Sequence, residues 1–268
     1  PALLSNFGTS LVERALIDAV CRRRGKPFHR ILRENSLGLR LGELHADLDH
    51  TAPADWLPNE PLETLFCRHT VGLSDPLRET DIAADERLDD GLPQSLEAGI
   101  RQYGLHHFKI KFNADPGFSL SRLRAVFRVL EETAGEDYRF TLDGNESFES
   151  VGAFREFWKQ LVSTAAPVDF EHHLLFVEQP FHRDLALTRE FDNALAGWSD
   201  RPEIIIDESD GDIGSLPRAL EAGYSGASHK NCKGVIKGIA NACLLARRRS
   251  EGRSGLMSGE DLANIGDR

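Results

Sequence analysis

Three carboxylates occur in the same local setting at three places in the chain. Asp143 follows Thr141-Leu142, Glu178 follows Phe176-Val177, and Asp207 follows Ile205-Ile206. Each closes a short apolar run, where a buried strand hands the chain over to a loop. A single acidic side chain there can simply cap the helix that follows. Three of them converging from successive segments would repel one another unless a hard cation neutralised them. A donor set made only of oxygen suits Mg²⁺ or Mn²⁺ rather than Zn²⁺. Asp143, Glu178 and Asp207 are therefore the candidate metal ligands, and Mg²⁺ the expected cofactor.

Lysines flank this acidic set. In His107-Phe108-Lys109-Ile110-Lys111-Phe112, side chains alternate faces, so Lys109 and Lys111 share one side and Ile110 and Phe112 the other. Two ammonium groups turned towards a packed interior are a costly packing choice, because like charges repel and burial disfavours the charged form. Beside each other and a metal ion, their pKa values are expected to fall from about 10.4 towards neutrality, which makes one of them a usable general base. Further on, Ser228, Lys230 and Cys232 fall on one face and His229 and Asn231 on the other. Lys230 is the inward candidate, ahead of Lys233. Asn145 and Glu260 complete the polar strand-end set as candidate substrate-binding residues.

These residues need a framework that brings strand ends together. Apolar runs at 65–71, 107–112, 138–142, 174–177, 203–206, 226–230 and 255–258 alternate with amphipathic stretches. Leu123, Val126, Phe127 and Leu130 follow a helical period, as do Phe154, Phe157, Trp158 and Leu161. A strand–helix unit of roughly 30 residues implies parallel strands with right-handed crossovers. Seven such strands favour an α/β fold of TIM type, a (β/α) barrel, over an open doubly wound sheet. The first strand–helix turn also lacks a Gly-x-Gly-x-x-Gly fingerprint. In a barrel, chemistry sits at the C-terminal strand ends, where all the candidate residues fall. Ahead of the strands, Ser10-x-x-Glu13 reads as a capping box opening a helix, with an apolar face of Leu11, Val12, Ala15, Leu16, Ala19 and Val20. Gly25 and Pro27 stop it. Residues 34–64, with Pro53, Pro58 and Pro61, read as loop and connector.

Composition narrows the function class. The 268 residues are 40% hydrophobic and 28% charged, as in a soluble globular protein. A net charge of −11 without a Lys/Arg stripe argues against nucleic acid or a membrane surface as partner. Arg22–Arg24 and Arg247–Arg249 fall where helices should end, and cations suit that end of the helix dipole. Cys21, Cys67, Cys232 and Cys243 are scattered, as free thiols in a reducing compartment would be. No signal peptide is evident, and no apolar run approaches the roughly 18 residues of a membrane span. A cytoplasmic protein is expected.

Taken in order, the strand ends resemble the enolase superfamily over almost the whole chain, from about Ser5 to Gly266. The family's Lys-x-Lys on the second barrel strand is matched by Lys109-Ile110-Lys111. Its Asp-x-Asn on the third is matched by Asp143-Gly144-Asn145, and its Glu-Gln-Pro on the fourth by Glu178-Gln179-Pro180. Its fifth-strand Asp-Glu-Ser is matched by Asp207-Glu208-Ser209, and its sixth-strand lysine by Lys230. The resemblance implies that Mg²⁺ binds a substrate carboxylate, that a base removes the proton on the adjacent carbon, and that an enediolate forms. It also implies that Lys111 and Lys230 face each other across that carbon, with Lys109 lowering the pKa of Lys111. The paired lysines are similar to those of the muconate-lactonising subgroup. The seventh strand, Met257-Ser258-Gly259-Glu260-Asp261, lacks the histidine of the mandelate-racemase and sugar-acid-dehydratase subgroups.

Against the family pattern, residues 1–60 correspond to the tail of an N-terminal α+β capping domain and a connector, and residues 61–268 to the barrel without its last strand. The expected activity is racemisation or epimerisation of an amino-acid derivative or dipeptide, ahead of cycloisomerisation. The partner is then a small-molecule carboxylate, and association into a homo-oligomer is expected because family barrels commonly associate. Three competing readings are an acid-sugar dehydratase of the same superfamily, a non-catalytic metal-binding remnant, and a metal-assisted hydrolase. The hydrolase would need histidine ligands. His106, His107, His172 and His173 precede their strand ends, His229 should face outward, and His182 is expected in a loop.

Overall fold

The computed structural model describes residues 2–260 of the chain. Asp261 and Gly266, which extend the family resemblance at its far end, lie outside them. Helix α1 (Ala2–Arg24) is followed by three short helices, α2 (Phe28–Arg33), α3 (Leu41–Leu44) and α4 (Pro53–Trp56). Then come β1 (His69–Val71), α5 (Leu96–Tyr103), β2 (His107–Lys111), α6 (Pro116–Thr133), β3 (Arg139–Asp143), α7 (Val151–Thr164), α8 (Phe170–His173), β4 (Leu174–Glu178) and α9 (Arg189–Ala196). The chain continues with β5 (Ile204–Ile206), α10 (Ser215–Ala222), β6 (Gly226–Lys230), α11 (Val235–Ser250) and β7 (Leu256–Glu260). The strands are parallel and follow one another in chain order, which makes the fold a partial (β/α) barrel of TIM type.

Two compact units divide the described residues, one spanning Phe66–Ile204 and the other combining residues 2–65 with residues 205–260. In the first, β1 to β4 pair successively, with Lys109 opposite Thr141, Lys111 opposite Asp143, and Asp143 opposite Glu178. The face carrying Phe108, Ile110 and Phe112 is fully buried against the helices. An aromatic layer fills the space behind it: Phe112 stacks on Phe157 at 5.2 Å, and Phe148 meets Phe154 edge-on at 5.1 Å. Three helices here, α5, α6 and α7, start on a side-chain cap. Ser95 Oγ accepts from Ala98 N, Asp115 Oδ1 from Phe118 N, and Ser150 Oγ from Ala153 N. The predicted strand at 65–71 contracts to His69–Val71, and Leu65 and Phe66 before it are exposed.

In the second unit, β5, β6 and β7 pair in order, and α11 packs against β6 and β7 and buries Ile239, Ala240, Cys243 and Leu244. A Cβ on Gly226 would fall 1.8 Å from the Leu256 carbonyl oxygen, so only glycine permits this strand contact. No helix among the described residues is long and apolar enough to cross a membrane.

Three local expectations change. The segment 34–64 is not all loop, since α3, α4 and a 3-10 turn at Ala46–Leu48 occupy part of it. Ser10 and Glu13 do not form a capping box, because α1 begins eight residues before Ser10, whose hydroxyl donates to the Phe7 carbonyl within the helix. Glu13 instead caps a different helix: its carboxylate accepts from the backbone N–H groups of Val235 and Ile236 at the start of α11. That contact turns α1, so Ser10 and Ile17 are buried while Leu11, Val12 and Leu16 are exposed. The face expected to be the core side is the outer one. The basic clusters do fall in the last turns of α1 and α11.

Candidate active site

The first cluster lies at the ends of β2, β3 and β4. Alternation turns Lys109 away from the buried Phe108–Ile110 face. Its ammonium lies 3.0 Å from Asp143 Oδ2 and 3.1 Å from Glu178 Oε1. Glu178 is fully buried, and Lys109 and Asp143 nearly so. Two carboxylates in adjacent register on parallel strands would repel strongly in such a setting; the shared lysine offsets that repulsion. Lys111, one turn of the pleat further, is partly exposed and donates to Asn145 Oδ1 at 2.9 Å.

The loops beyond β3 and β4 hold these groups in place. Gly144 N donates to the Glu178 carbonyl, Glu146 N to Gln179, and Phe148 N to Pro180, so the two chains remain zipped past the strand ends. A Cβ on Gly144 would fall 2.6 Å from Pro180 Cα, so the close approach requires glycine there. Asn145, Glu146 and Gln179 all have positive φ, of 46°, 59° and 35°. Non-glycine residues in that region cost about 1–3 kcal/mol each and concentrate at sites where the surroundings over-determine them. Here the Asp143 carboxylate accepts from Asn145 N at 3.0 Å, which contributes to that restraint.

Arg68 completes this cluster, and sequence reasoning missed it. It donates to Thr141 Oγ1 at 2.7 Å, lies 3.7 Å from Glu178 Oε2, and sits over the Phe176 ring at 5.4 Å. The only signal for it was a cation just ahead of a short strand, in a stretch that read as apolar.

The second cluster lies at the ends of β5, β6 and β7. Asp207 is 2% exposed. Its Oδ2 lies 2.5 Å from Lys230 Nζ, and its Oδ1 accepts from Ser228 Oγ at 2.6 Å and lies 2.8 Å from Lys233 Nζ. Lys230 also reaches Glu260 Oε2 at 3.0 Å, so it bridges two strand-end carboxylates. Burial opposes the charge on Asp207, but Lys233 and Lys230 outweigh it and hold the carboxyl below the usual carboxylate range. Burial likewise opposes the Lys230 ammonium, but Asp207 and Glu260 outweigh it and raise its pKa above that of an ordinary lysine. Flanked in this way, Lys230 holds its proton more tightly than an ordinary lysine does. Both Lys230 and Lys233 thus engage Asp207, whereas strand alternation had singled out Lys230. His229 faces away from Asp207, with its imidazole packed against Gly238 of α11.

Within each cluster the acidic groups, Asp143 and Glu178 in the first and Asp207 in the second, offer carboxylate oxygens only, the donor chemistry that suits a hard divalent cation.

No protein-family model matches the sequence, nor does any curated protein. Solved structures do match the fold. The L-Ala-D/L-Glu epimerase from Bacillus subtilis aligns over 94% of this chain and 55% of its own, at 18% identity and a TM-score of 0.55. The dipeptide epimerase from Methylococcus capsulatus, solved with Mg and the dipeptide L-Arg-D-Lys, aligns over the same shares at 19% identity and a TM-score of 0.54. An N-succinyl Arg/Lys racemase from Bacillus cereus aligns over 74% of this chain and 45% of its own, at 17% identity and a TM-score of 0.50. The chain therefore spans about half the length of these enzymes and shares the barrel fold found in them.

Proposed function

We propose that this chain is the barrel part of an Mg²⁺-dependent isomerase of the enolase superfamily, acting at the carbon next to a substrate carboxylate. One observation carries the reading. Each cluster of strand ends presents lysine together with carboxylate: Lys109 and Lys111 with Asp143 and Glu178, and Lys230 with Asp207 and Glu260. Similarity of fold to two dipeptide epimerases and a racemase supports an amino-acid derivative or dipeptide as substrate.

In this proposal Asp143, Glu178 and Asp207 hold Mg²⁺, or Mn²⁺ in its place. The bound ion supplies positive charge opposite the substrate carboxylate, so that charge developing on deprotonation is stabilised. Lys111 accepts the proton from the α-carbon, and Lys109 holds Asp143 and Glu178 in place. Lys230 delivers a proton to the opposite face, which inverts the centre. Asn145 and Glu260 help position substrate and lysine. Two lysines suit this 1,1-proton transfer better than a β-elimination. The remaining assignments belong to the same proposal: residues 61–268 form the catalytic barrel, residues 1–60 belong to a cap and connector, and the protein works as a cytoplasmic homo-oligomer.

The test is exchange of the substrate α-proton with solvent deuterium, followed by NMR over a panel of dipeptides and N-acylated amino acids with Mg²⁺ present. Exchange lost in Lys111→Ala and Lys230→Ala is the expected result. Exchange that persists in both variants overturns the assignment of bases. Mg²⁺-dependent thermal stabilisation without any exchange points to the competing reading, a metal-binding protein without this activity.

A further inference from the structure

Lys233 is one residue short of a glycine whose φ is 100°, in the 3-10 turn Asn231–Lys233 between β6 and α11. Its side chain is 1% exposed, and an ammonium so buried must place all three protons on acceptors. It does so on a single knot. Nζ lies 2.7 Å from the Asp207 carbonyl oxygen, 2.8 Å from the Ser228 carbonyl oxygen, 2.8 Å from Asp207 Oδ1 and 3.1 Å from Ser228 Oγ. Ser228 Oγ donates to the same Oδ1. One carboxylate oxygen of Asp207 is thereby committed to protein partners, and Lys233 joins the end of β5 to β6.

The knot is itself anchored. Asp210 N donates to the Asp207 carbonyl oxygen, and the Asp210 carboxylate lies 2.9 Å from Lys237 and 3.9 Å from Lys233. Two residues after Lys233, the first N–H of α11 is held by Glu13. Lys233 thus projects from a turn fixed on both sides, whereas Lys230 meets the carboxylates of Asp207 and Glu260 at strand ends.

We infer that Lys233 is a positioning residue. It locks Asp207 Oδ1 so that Oδ2 is the oxygen presented beside Lys230, and it leaves Lys230 as the lysine that exchanges protons with substrate. This inference deepens the proposed function and rests on its reading of Asp207 as a ligand of Mg²⁺.

The experiment compares the full chain with Lys233→Met, Lys233→Arg and Ser228→Ala, using Mg²⁺ alone as the probe by isothermal titration calorimetry and crystal structures to read the Asp207 rotamer. Partners that orient a ligand typically change metal affinity by roughly 10–100-fold, so Lys233→Met should bind Mg²⁺ that much more weakly, with Asp207 rotated off Ser228. Lys233→Arg should regain part of the affinity. Ser228→Ala, which keeps the ammonium, should lose less, and it carries the test should Lys233→Met not fold. A lysine that acted only through its charge would do the reverse, since its removal would tighten cation binding. Unchanged or tighter Mg²⁺ binding, with Asp207 in place, overturns the inference. If the unaltered chain binds no Mg²⁺ while Asp207 still rotates in Lys233→Met, the metal reading fails and the positioning role stands.

Discussion

Asp143 and Glu178 are register partners on β3 and β4, and a single ammonium, that of Lys109, lies 3.0 Å from one and 3.1 Å from the other. Removing one member of a buried charged group leaves the rest poorly compensated, here with Arg68 3.7 Å from Glu178 offsetting part of the loss, so Lys109→Met should destabilise the protein by about 3–5 kcal/mol at neutral pH. If the two carboxylates bind a divalent ion, Mg²⁺ should recover much of that loss. Urea unfolding with and without Mg²⁺ measures both effects. Equal stability of variant and parent would mean that the lysine is not what holds the carboxylates together.

Gly144 is the point of closest approach between the loops that follow β3 and β4. Its replacement by alanine brings a Cβ to 2.6 Å from the Pro180 backbone, and something must move. Overpacking of this kind costs about 1–3 kcal/mol. Gly144→Ala should therefore lower the thermal midpoint and also separate Asp143 from Glu178, weakening Mg²⁺ binding. Calorimetry on the same sample reads both.

Glu13 ties α1 to the first turn of α11 through two backbone N–H groups. Loss of such a cap, with its charge at the positive end of a helix, typically costs about 1–2 kcal/mol. Glu13→Ala should show that loss in chemical denaturation, and Glu13→Gln a smaller one because an amide oxygen still accepts. The difference should shrink as salt is added, since the charge component is screened.

His45 is buried, with Nε2 donating to Asn241 Oδ1 at 2.9 Å. Burial, more than any neighbour, pushes its pKa below the ordinary histidine value. The unfolded chain takes up this proton near pH 6.5, and the folded chain only at lower pH. Its contribution to stability is therefore complete above about pH 6.5 and is lost as the pH falls through the lowered folded value. Urea unfolding between pH 8 and pH 5 should show a steeper decline for the parent than for His45→Gln. Parallel declines would assign the acid sensitivity to other groups.

The strands were legible because their information is local. Asp143, Glu178 and Asp207 could be assigned to strand ends from the apolar runs before them, and because a pleat alternates sides every residue, Lys109 and Lys111 could be placed on one face of their strand and Lys230 on the inward face of its own. The helices α6 and α7 were legible for the same reason, with a period of 3.6. Polar strand ends in consecutive units follow directly from that pattern, and so does the barrel fold.

The parts that went wrong or unseen depend on contacts between residues far apart in the chain. Ser10-x-x-Glu13 has the spacing of a local cap, yet Glu13 reaches a helix that begins at Val235, and this rotates α1 so that Leu11, Val12 and Leu16 face outward. Local spacing cannot register a partner more than two hundred residues away. Arg68 could not be distinguished from a surface arginine until Thr141 and Glu178 closed around it. Alternation favoured Lys230 over Lys233, but it has no authority past the last strand residue, where a 3-10 turn carries Lys233 back onto Asp207. The sequence alone thus determined which chemical groups stand at the strand ends, because backbone geometry dictates it residue by residue. Which of those groups touch was decided only by tertiary packing, where turns, caps and buried charges must all be satisfied together.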